Sequence, residues 1–531
     1  MSFSAEYISY PSTNAFSKIT NDYVSDSVLL TQFYAHPPTI EGIKKAITQR
    51  QKFPTNRKLL VDVLQKQYGN TDFTKKQQQN IQLLSNTNCF TIATAHQPNI
   101  FTGHLYFIYK ILHAIKLAEY LQGQMPENNF VPVFYMGSED ADLEELNHIY
   151  IKGEKYEWKT NQTGAVGRME VDKALIALID TIAGQLLTEP YGKKIIDTIK
   201  ESYVQGITIQ QATFTLVNKL FANYGLLVII PDDADLKRSF IPVIKKELIE
   251  KFSYKNVLQT VAALPKEYKV QASGRELNLF YLKEERRDRI EQHDSNYTIN
   301  GTTLKFTEQQ ILEELNNHPE RFSPNVILRP VFQEMILPNV AFVGGGGEIA
   351  YWLELKKVFD AVDVPYPVLV LRNSFLVLTQ SEKKMQSKLK LTAQDLFKPE
   401  AELIASIVKI SSANKLNLDT EGKQIEEFYN NLLATVNAVD VSLQKHTIAL
   451  KVQALHKINA LEKKMLRAEK RKFEAEQRQI RKLKAQLFPN NNLQEREENF
   501  MLFYAKWGDN FIETLFENSL PLKQEFCLLT Q

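Results

Sequence analysis

The stretch VILRPVFQEMILPNVAFVGGGGEIAYW, residues 326–352, constrains this chain most. An apolar strand, Val340–Val343, runs into four consecutive glycines, Gly344, Gly345, Gly346 and Gly347, and then into Glu348 and a helical pattern over Ile349–Phe359. A buried strand that turns through glycine directly into a helix belongs to an α/β fold. Its helix start carries unpaired N–H groups that a carboxylate or phosphate can approach closely, because no Cβ stands in the way. The same glycines also suit a tight turn with close strand–helix packing, and their spacing is neither GxGxxG nor GxxxxGK[ST]. Glu348 reads either as a cap matched to the helix dipole or as an acid that holds a substrate ammonium or removes a proton. Arg329 and Tyr351, on either side of the turn, are expected to bind substrate.

Upstream, the strand–helix alternation repeats. FTIATA (90–95) reads as a buried strand, followed by HQPNIFTGH (96–104), with His96, Gln97 and His104, and by an amphipathic helix from Leu105 to about Leu121 carrying Lys110. A second strand, Phe130–Met136, ends in GSEDADLEELNH, where Glu139, Asp140 and Asp142 could hold Mg²⁺ or an amine, or simply cap a helix. A third, Gly225–Ile230, ends in Asp232, Asp233 and Asp235, and a last one, Pro367–Leu371, in Arg372, Asn373 and Ser374. Ligands of an open parallel sheet bind beyond the carboxyl ends of its strands, so these polar clusters mark the expected site. The pattern breaks at about 150–224 (a hairpin, then three helices) and 255–328 (a helix and β-like pieces), which read as insertions; Arg275, Arg286, Arg287 and Arg289 of the second offer an anion clamp or surface charge. The expected architecture over residues 1–380 is a Rossmann-like, doubly wound parallel sheet with two connecting insertions.

Beyond 380 glycine all but vanishes. Ile425, Phe428, Leu432, Val436, Val439 and Leu443 recur at three- and four-residue steps, and Leu450 to Met465 continue the stripe. Residues 381–490 therefore read as an α-helical coiled-coil arm, paired with the 399–416 segment, folded as a hairpin or joined to a second chain. Pro489 and three asparagines stop it, and 491–531, rich in aromatics, is expected to pack back on the protein as helices. The basic run Lys463–Lys484 contains only Phe473 as an aromatic, which favours the solvated face of a coiled coil over nucleic-acid binding.

With Lys+Arg 64 against Asp+Glu 62, the net charge of +2 gives no reason to expect a dedicated nucleic-acid binder. Two cysteines, Cys89 and Cys527, cannot build a disulfide framework, and the start of the chain has no signal-peptide pattern; the expectation is a cytoplasmic protein outside the membrane. The absence of Walker A, GxSxG, HExxH and paired CxxC patterns removes P-loop kinases, α/β-hydrolases, zincins and thiol oxidoreductases. What remains is a polar cleft suited to a small, multiply charged metabolite.

In three of these motifs, HQPNIFTGHLYFIYK (96–110), VPVFYMGSEDADLEELNH (131–148) and LRPVFQEMILPNVAFVGGGGEIAYW (328–352), and in LQEREENF (493–500), the chain resembles the BshC family of bacillithiol biosynthesis. The resemblance spans most of the chain in order. It implies a Rossmann-like core, a coiled-coil domain, a homodimer, and a ligase joining cysteine to glucosaminyl malate through an amide bond. It departs from the family at Ala141, where many relatives have His, and at Gly346, where they have Pro. An amide requires an activated carboxylate, so nucleotide binding is expected, with ATP and Mg²⁺ as cofactors. On this expectation the malyl carboxylate is activated and cysteine's amine attacks it. His96, His104, Glu348 and Asp140 are the expected catalytic residues; Gln97, Glu139, Asp232, Arg329, the four glycines, Tyr351 and Asn373 bind substrate. A non-catalytic coiled-coil scaffold associated with nucleic acid, and an ATP-dependent ligase for another amino acid, are the alternatives.

Overall fold

The structure is a computed structural model that describes residues 3–531 apart from 70–72, 273 and 415. The chain divides into two compact units, the first of residues 1–11, 15–376 and 492–529, the second chiefly of residues 377–491.

A five-stranded parallel sheet organises the first unit: β1 (Cys89–His96), β2 (Asn129–Met136), β3 (Leu227–Ile229), β4 (Asn339–Gly344) and β5 (Val368–Leu371), in the order β5-β4-β1-β2-β3. Both faces are covered, which is why these segments read as unbroken apolar runs rather than alternating ones. β1 pairs with β2 from Cys89 opposite Asn129 to His96 opposite Met136, and with β4 from Thr91 opposite Asn339 to Thr94 opposite Val343. The chain leaves β1 in one direction for β2 and later returns to its other side for β4. The carboxyl ends of β1 and β4 thus flank the switch point, where a crevice opens in such sheets. Helix α1 (Tyr106–Gln124) crosses from β1 to β2 and buries Ala114, Leu117 and Leu121 against Phe90, Ile92 and Val340. α2 (Ala234–Glu250) follows β3, its first turn capped by Asp233 on the N–H groups of Asp235 and Leu236.

The first interruption holds a hairpin, His148–Ile151 with Glu154–Glu157, and three helices between Lys173 and Phe221. The second contains an antiparallel sheet whose central strand, Arg286–His293, was not expected. Its five charged residues hide the alternation that marks a strand, since only Ile290 is fully buried. The helix expected over 349–359 is two helices, α3 (Gly346–Leu353) and Lys356–Asp360. The break falls at Glu354, whose carboxylate accepts the N–H groups of Gln271 and Ala272 at 2.7 and 2.8 Å. A further sheet, Ser4–Ser9 with Glu525–Thr530 and Ser374–Leu378, was also missed: it pairs the two ends of the chain, and the tail is not wholly helical.

The second unit is helical: α4 (Glu400–Ser411), α5 (Asp419–Val439), α6 (Gln444–Lys470) and α7 (Glu474–Leu487). The stripe read as one long helix breaks at Asp440, whose extended backbone and side-chain cap on the Ser442 N–H turn α5 back along α6. No residue of α5 is buried; Phe428 is 62% exposed and Val439 81%. No helix among the described residues is long and apolar enough to cross a membrane.

Candidate active site

At the switch point lies a cavity of about 590 Å³, formed within the first unit. Three expected elements meet on its wall: His96 and Gln97 beyond β1, Glu139 and Asp140 beyond β2, and Gly345, Gly347 and Glu348 at the start of α3. Arg329 and Tyr351 line it too, the guanidinium Nη2 donating to the Tyr351 hydroxyl at 2.7 Å. The second interruption closes the opposite side with Arg275, Arg287 and Arg289. The Arg287 and Arg289 guanidiniums lie over the Phe280 ring, 4.0 and 5.1 Å from its centroid, which fixes their planes. Arg286, next in the strand, turns outward to pair with Asp288.

The acids differ sharply in what they have left to offer. Glu348 accepts the Gly345 N–H at 2.8 Å, closing the first turn of α3, and pairs at 2.5 Å with Lys110, a buried ammonium that also donates to Ala95 O. It is therefore a helix cap and an ion-pair partner on the cavity wall, and it joins α1 to α3. Glu139 pairs with the buried Lys237, and Asp232 is gripped by Arg168 at 2.6 and 2.7 Å. Burial alone would raise the Asp232 carboxyl, but Arg168 and Lys237 together pull it below its ordinary value. Asp232 is thus taken up by this network and does not line the cavity. Among the described residues no cation lies within ion-pair distance of Asp140, which accepts from Gln97 Nε2 at 3.2 Å.

Conversely, no carboxylate among the described residues pairs with Arg275, Arg287, Arg289, Arg329 or Arg496, all on the cavity wall. Guanidiniums without a carboxylate partner are receptors for carboxylate or phosphate, and three of these five, Arg287, Arg289 and Arg329, are further held by Phe280 or Tyr351.

His96 lies at the β1 end of the cavity, its Nε2 buried without a hydrogen-bond partner. Burial, reinforced by Lys110 and Arg329, keeps its ring well below the ordinary pKa, so it is neutral and cannot serve as a standing positive charge for phosphate. His104 is outside the cavity, stacked 6.3 Å from the Tyr150 ring, with Nδ1 3.3 Å from Glu497 O. Asn373 is also outside, its amide spanning to the backbone of Leu520 in both directions. Of the four glycines, Gly344 and Gly346 do not reach the cavity: a Cβ on Gly344 would strike Phe342, and one on Gly346 would meet Thr20. The glycine run thus serves packing at two positions and the cavity at the other two.

Sequence reading missed Tyr106, Tyr135 and Arg496 of the wall and the cations Lys237 and Arg168. Tyr106 and Tyr135 lie in apolar runs that announce only core, and Arg496 stands some 400 residues from the motif it joins.

Two family profiles match the chain in succession, and the second takes in residues 492–529, which fold as part of the first compact unit. Residues 3–373 match the profile of the bacillithiol biosynthesis BshC N-terminal Rossmann-like domain, and residues 375–531 that of the BshC C-terminal coiled-coil domain. Relatives named as the cysteine ligase BshC are 41% identical in Flavobacterium johnsoniae (98% of this chain, 99% of the relative) and 40% in Flavobacterium psychrophilum (98% of each). A third, in Christiangramia forsetii, is 38% identical, again over 98% of each chain. The chain, with a Rossmann-like core and a coiled-coil domain matched end to end, belongs to the BshC family of bacillithiol biosynthesis.

Proposed function

We propose that this protein is a ligase that joins cysteine to glucosaminyl malate by an amide bond, as the last step of bacillithiol synthesis. The carrying observation is the charge inventory of the cavity: five guanidiniums without carboxylate partners, one carboxylate without a cation, and glycine-turn backbone between them. That inventory fits a polyanionic acceptor together with an ammonium.

The direction of the condensation is revised from the sequence-based expectation. Carboxylates clamped by guanidiniums are stabilised as anions and resist conversion to electrophiles, so the malyl group is better read as the recognition handle. The amine then comes from the glucosaminyl unit and the acyl group from cysteine's carboxylate. Asp140 is the acid placed to hold that amine and accept its proton, with Gln97 orienting the carboxylate. Neutral His96, with its free Nε2, offers a second hydrogen-bond partner at the reacting end.

ATP, when bound, would convert one oxygen of cysteine's carboxylate into a phosphate-type leaving group, so that it departs with phosphate when the amine attacks. The donor set fits it: the unpaired guanidiniums and the N-terminal turn of α3 would hold its phosphates. Mg²⁺ would be carried mainly by phosphate oxygens, since among the described residues no three His, Cys, Asp or Glu side chains gather as a metal-holding group. We also read the exposed apolar surface of α5 as the seam of a homodimer.

The test is mass spectrometry of protein incubated with cysteine and glucosaminyl malate, with and without Mg-ATP. Product of the mass of the amide, appearing only with Mg-ATP, supports the reading. No product from folded protein under either condition removes it.

A further inference from the structure

Between Leu493 and Phe500 every residue is buried except Arg496, which is exposed and lines the cavity. The segment is fastened on both sides of that one side chain. Glu495, fully buried, makes a two-point ion pair with Arg372 at 2.6 and 3.0 Å and accepts from Ser374 Oγ at 3.2 Å. Glu498 accepts the N–H groups of Lys152 and Gly153 at 2.8 and 3.0 Å, tying in the hairpin of the first interruption. Asn499 donates its amide to Phe101 O and Gly103 O, in the loop that follows His96, and Glu498 O accepts the Leu105 N–H that opens α1.

A buried segment with three polar anchors is an expensive way to hold one exposed arginine, unless the position of that arginine matters. Its two acidic neighbours do not pair with it: Glu495 is engaged by Arg372, and among the described residues Glu497 makes no ion pair with Arg496 and accepts from Asn492 at 2.6 Å. Arg496 lines the cavity together with Gly345, His96 and Arg372, and both Arg496 and Arg372, the latter lying over the Tyr106 ring, act electrostatically on Tyr106. Arg275, Arg287 and Arg289 come from the second interruption and Arg329 from the helix that precedes β4, so Arg496 adds a cation from a separate part of the chain.

We propose that the 493–500 segment is an integral part of the substrate site, with Arg496 binding an oxyanion in the cavity near Tyr106 and Glu495, Glu498 and Asn499 positioning it. The oxyanion is a carboxylate of the malyl group or a phosphate of the activating nucleotide. Both offer the paired oxygens that a guanidinium fork recognises. The inference rests on the reading of this cavity as the ligase site, and the experiment separates the two.

Full-length wild type, Arg496→Gln and Arg496→Lys proteins are compared by calorimetric titration with L-malate and, separately, with metal-free ATP, alongside thermal melting and product formation. Loss of one charge-assisted fork predicts weakening of about tenfold to a hundredfold for one ligand and little change for the other in Arg496→Gln. Arg496→Lys should fall between, since it keeps the charge but loses the fork, and melting should be unchanged because the side chain is exposed. The ligand that weakens names the source of the oxyanion. Unchanged affinity for both ligands overturns the inference, as does equal loss of both with a lowered melting temperature, or wild-type protein that binds neither. Wild type that binds but forms no product removes the ligase reading and leaves the anion site. Wild type that forms product with the same KM values as Arg496→Gln removes the anion site alone.

Discussion

Replacing Glu348 with Gln tests the bridge between α1 and α3. Lys110 is 2% exposed and Glu348 22%, with their charged atoms 2.5 Å apart. Burial lowers the Lys110 pKa and Glu348 opposes it, so removing the carboxylate's charge drives that pKa further down and leaves the ammonium with the neutral Ala95 O as its acceptor. Breaking one side of a fully buried pair costs about 3–5 kcal/mol; because Glu348 is partly wetted, a smaller loss, about 2–3 kcal/mol, is expected. The amide oxygen of Gln can still accept the Gly345 N–H, so little of that loss belongs to the cap. Glu348→Ala loses the cap as well and should cost about 1 kcal/mol more. The decisive variant is Lys110→Met with Glu348→Gln, in which no buried charge is left alone. It should be more stable than the sum of the single losses predicts, by at least 1 kcal/mol on the order of magnitude of coupled buried pairs. Urea unfolding followed by tryptophan fluorescence is the assay, since Trp158, Trp352 and Trp507 all lie in the first unit. Losses that simply add, within about 0.5 kcal/mol, would refute the claim that the pair acts as a unit.

Acid should loosen the tail through His113, whose ring is pushed down to about 4 by burial, with Nδ1 accepting from Asn373 N–H and Nε2 facing Pro521 O. The folded pKa is depressed, so the stability it contributes is present above about 6.5 and is lost as pH falls from there towards 4; His113→Gln should flatten that part of the urea-midpoint curve, and an identical curve would exclude His113 as its source. Deleting residues 385–485 should leave a monomer in light scattering; a persisting dimer would place the interface away from α5. Arg287→Ala should raise the KM for glucosaminyl malate or ATP about tenfold or more, because its guanidinium is preset over Phe280 and by Ser323 Oγ and Pro324 O; unchanged kinetics would remove Arg287 from the site.

Much of the framework was legible locally. Strands buried on both faces appear as apolar runs, and the positions that end them are fixed by the same runs, so His96, Glu139, Asp140 and the glycine turn could be named as neighbours from strand ends alone. The arm was legible from its periodicity, but not the turn at Asp440, because one capped residue interrupts the stripe without changing its spacing. The acids were the least legible. Glu139, Asp140, Asp232 and Glu348 look alike in sequence, yet three are engaged by Lys237, Arg168 and Lys110 and one is not. Ion pairing acts over a few ångströms between residues that can be hundreds of positions apart, so no local pattern encodes it.

By itself, then, the sequence determined the strand–helix alternation, the glycine turn and the set of groups that gather at the sheet's carboxyl edge. Only the tertiary structure decided which of those groups remain available for chemistry. It neutralised His96 by burial, consumed Asp232, left Asp140 unpaired, and brought Arg496 from the far end of the chain to the cavity. The physical reason is that secondary structure follows from short-range sterics and periodicity, whereas charge state and availability follow from desolvation and from long-range partners that exist only once the chain has folded.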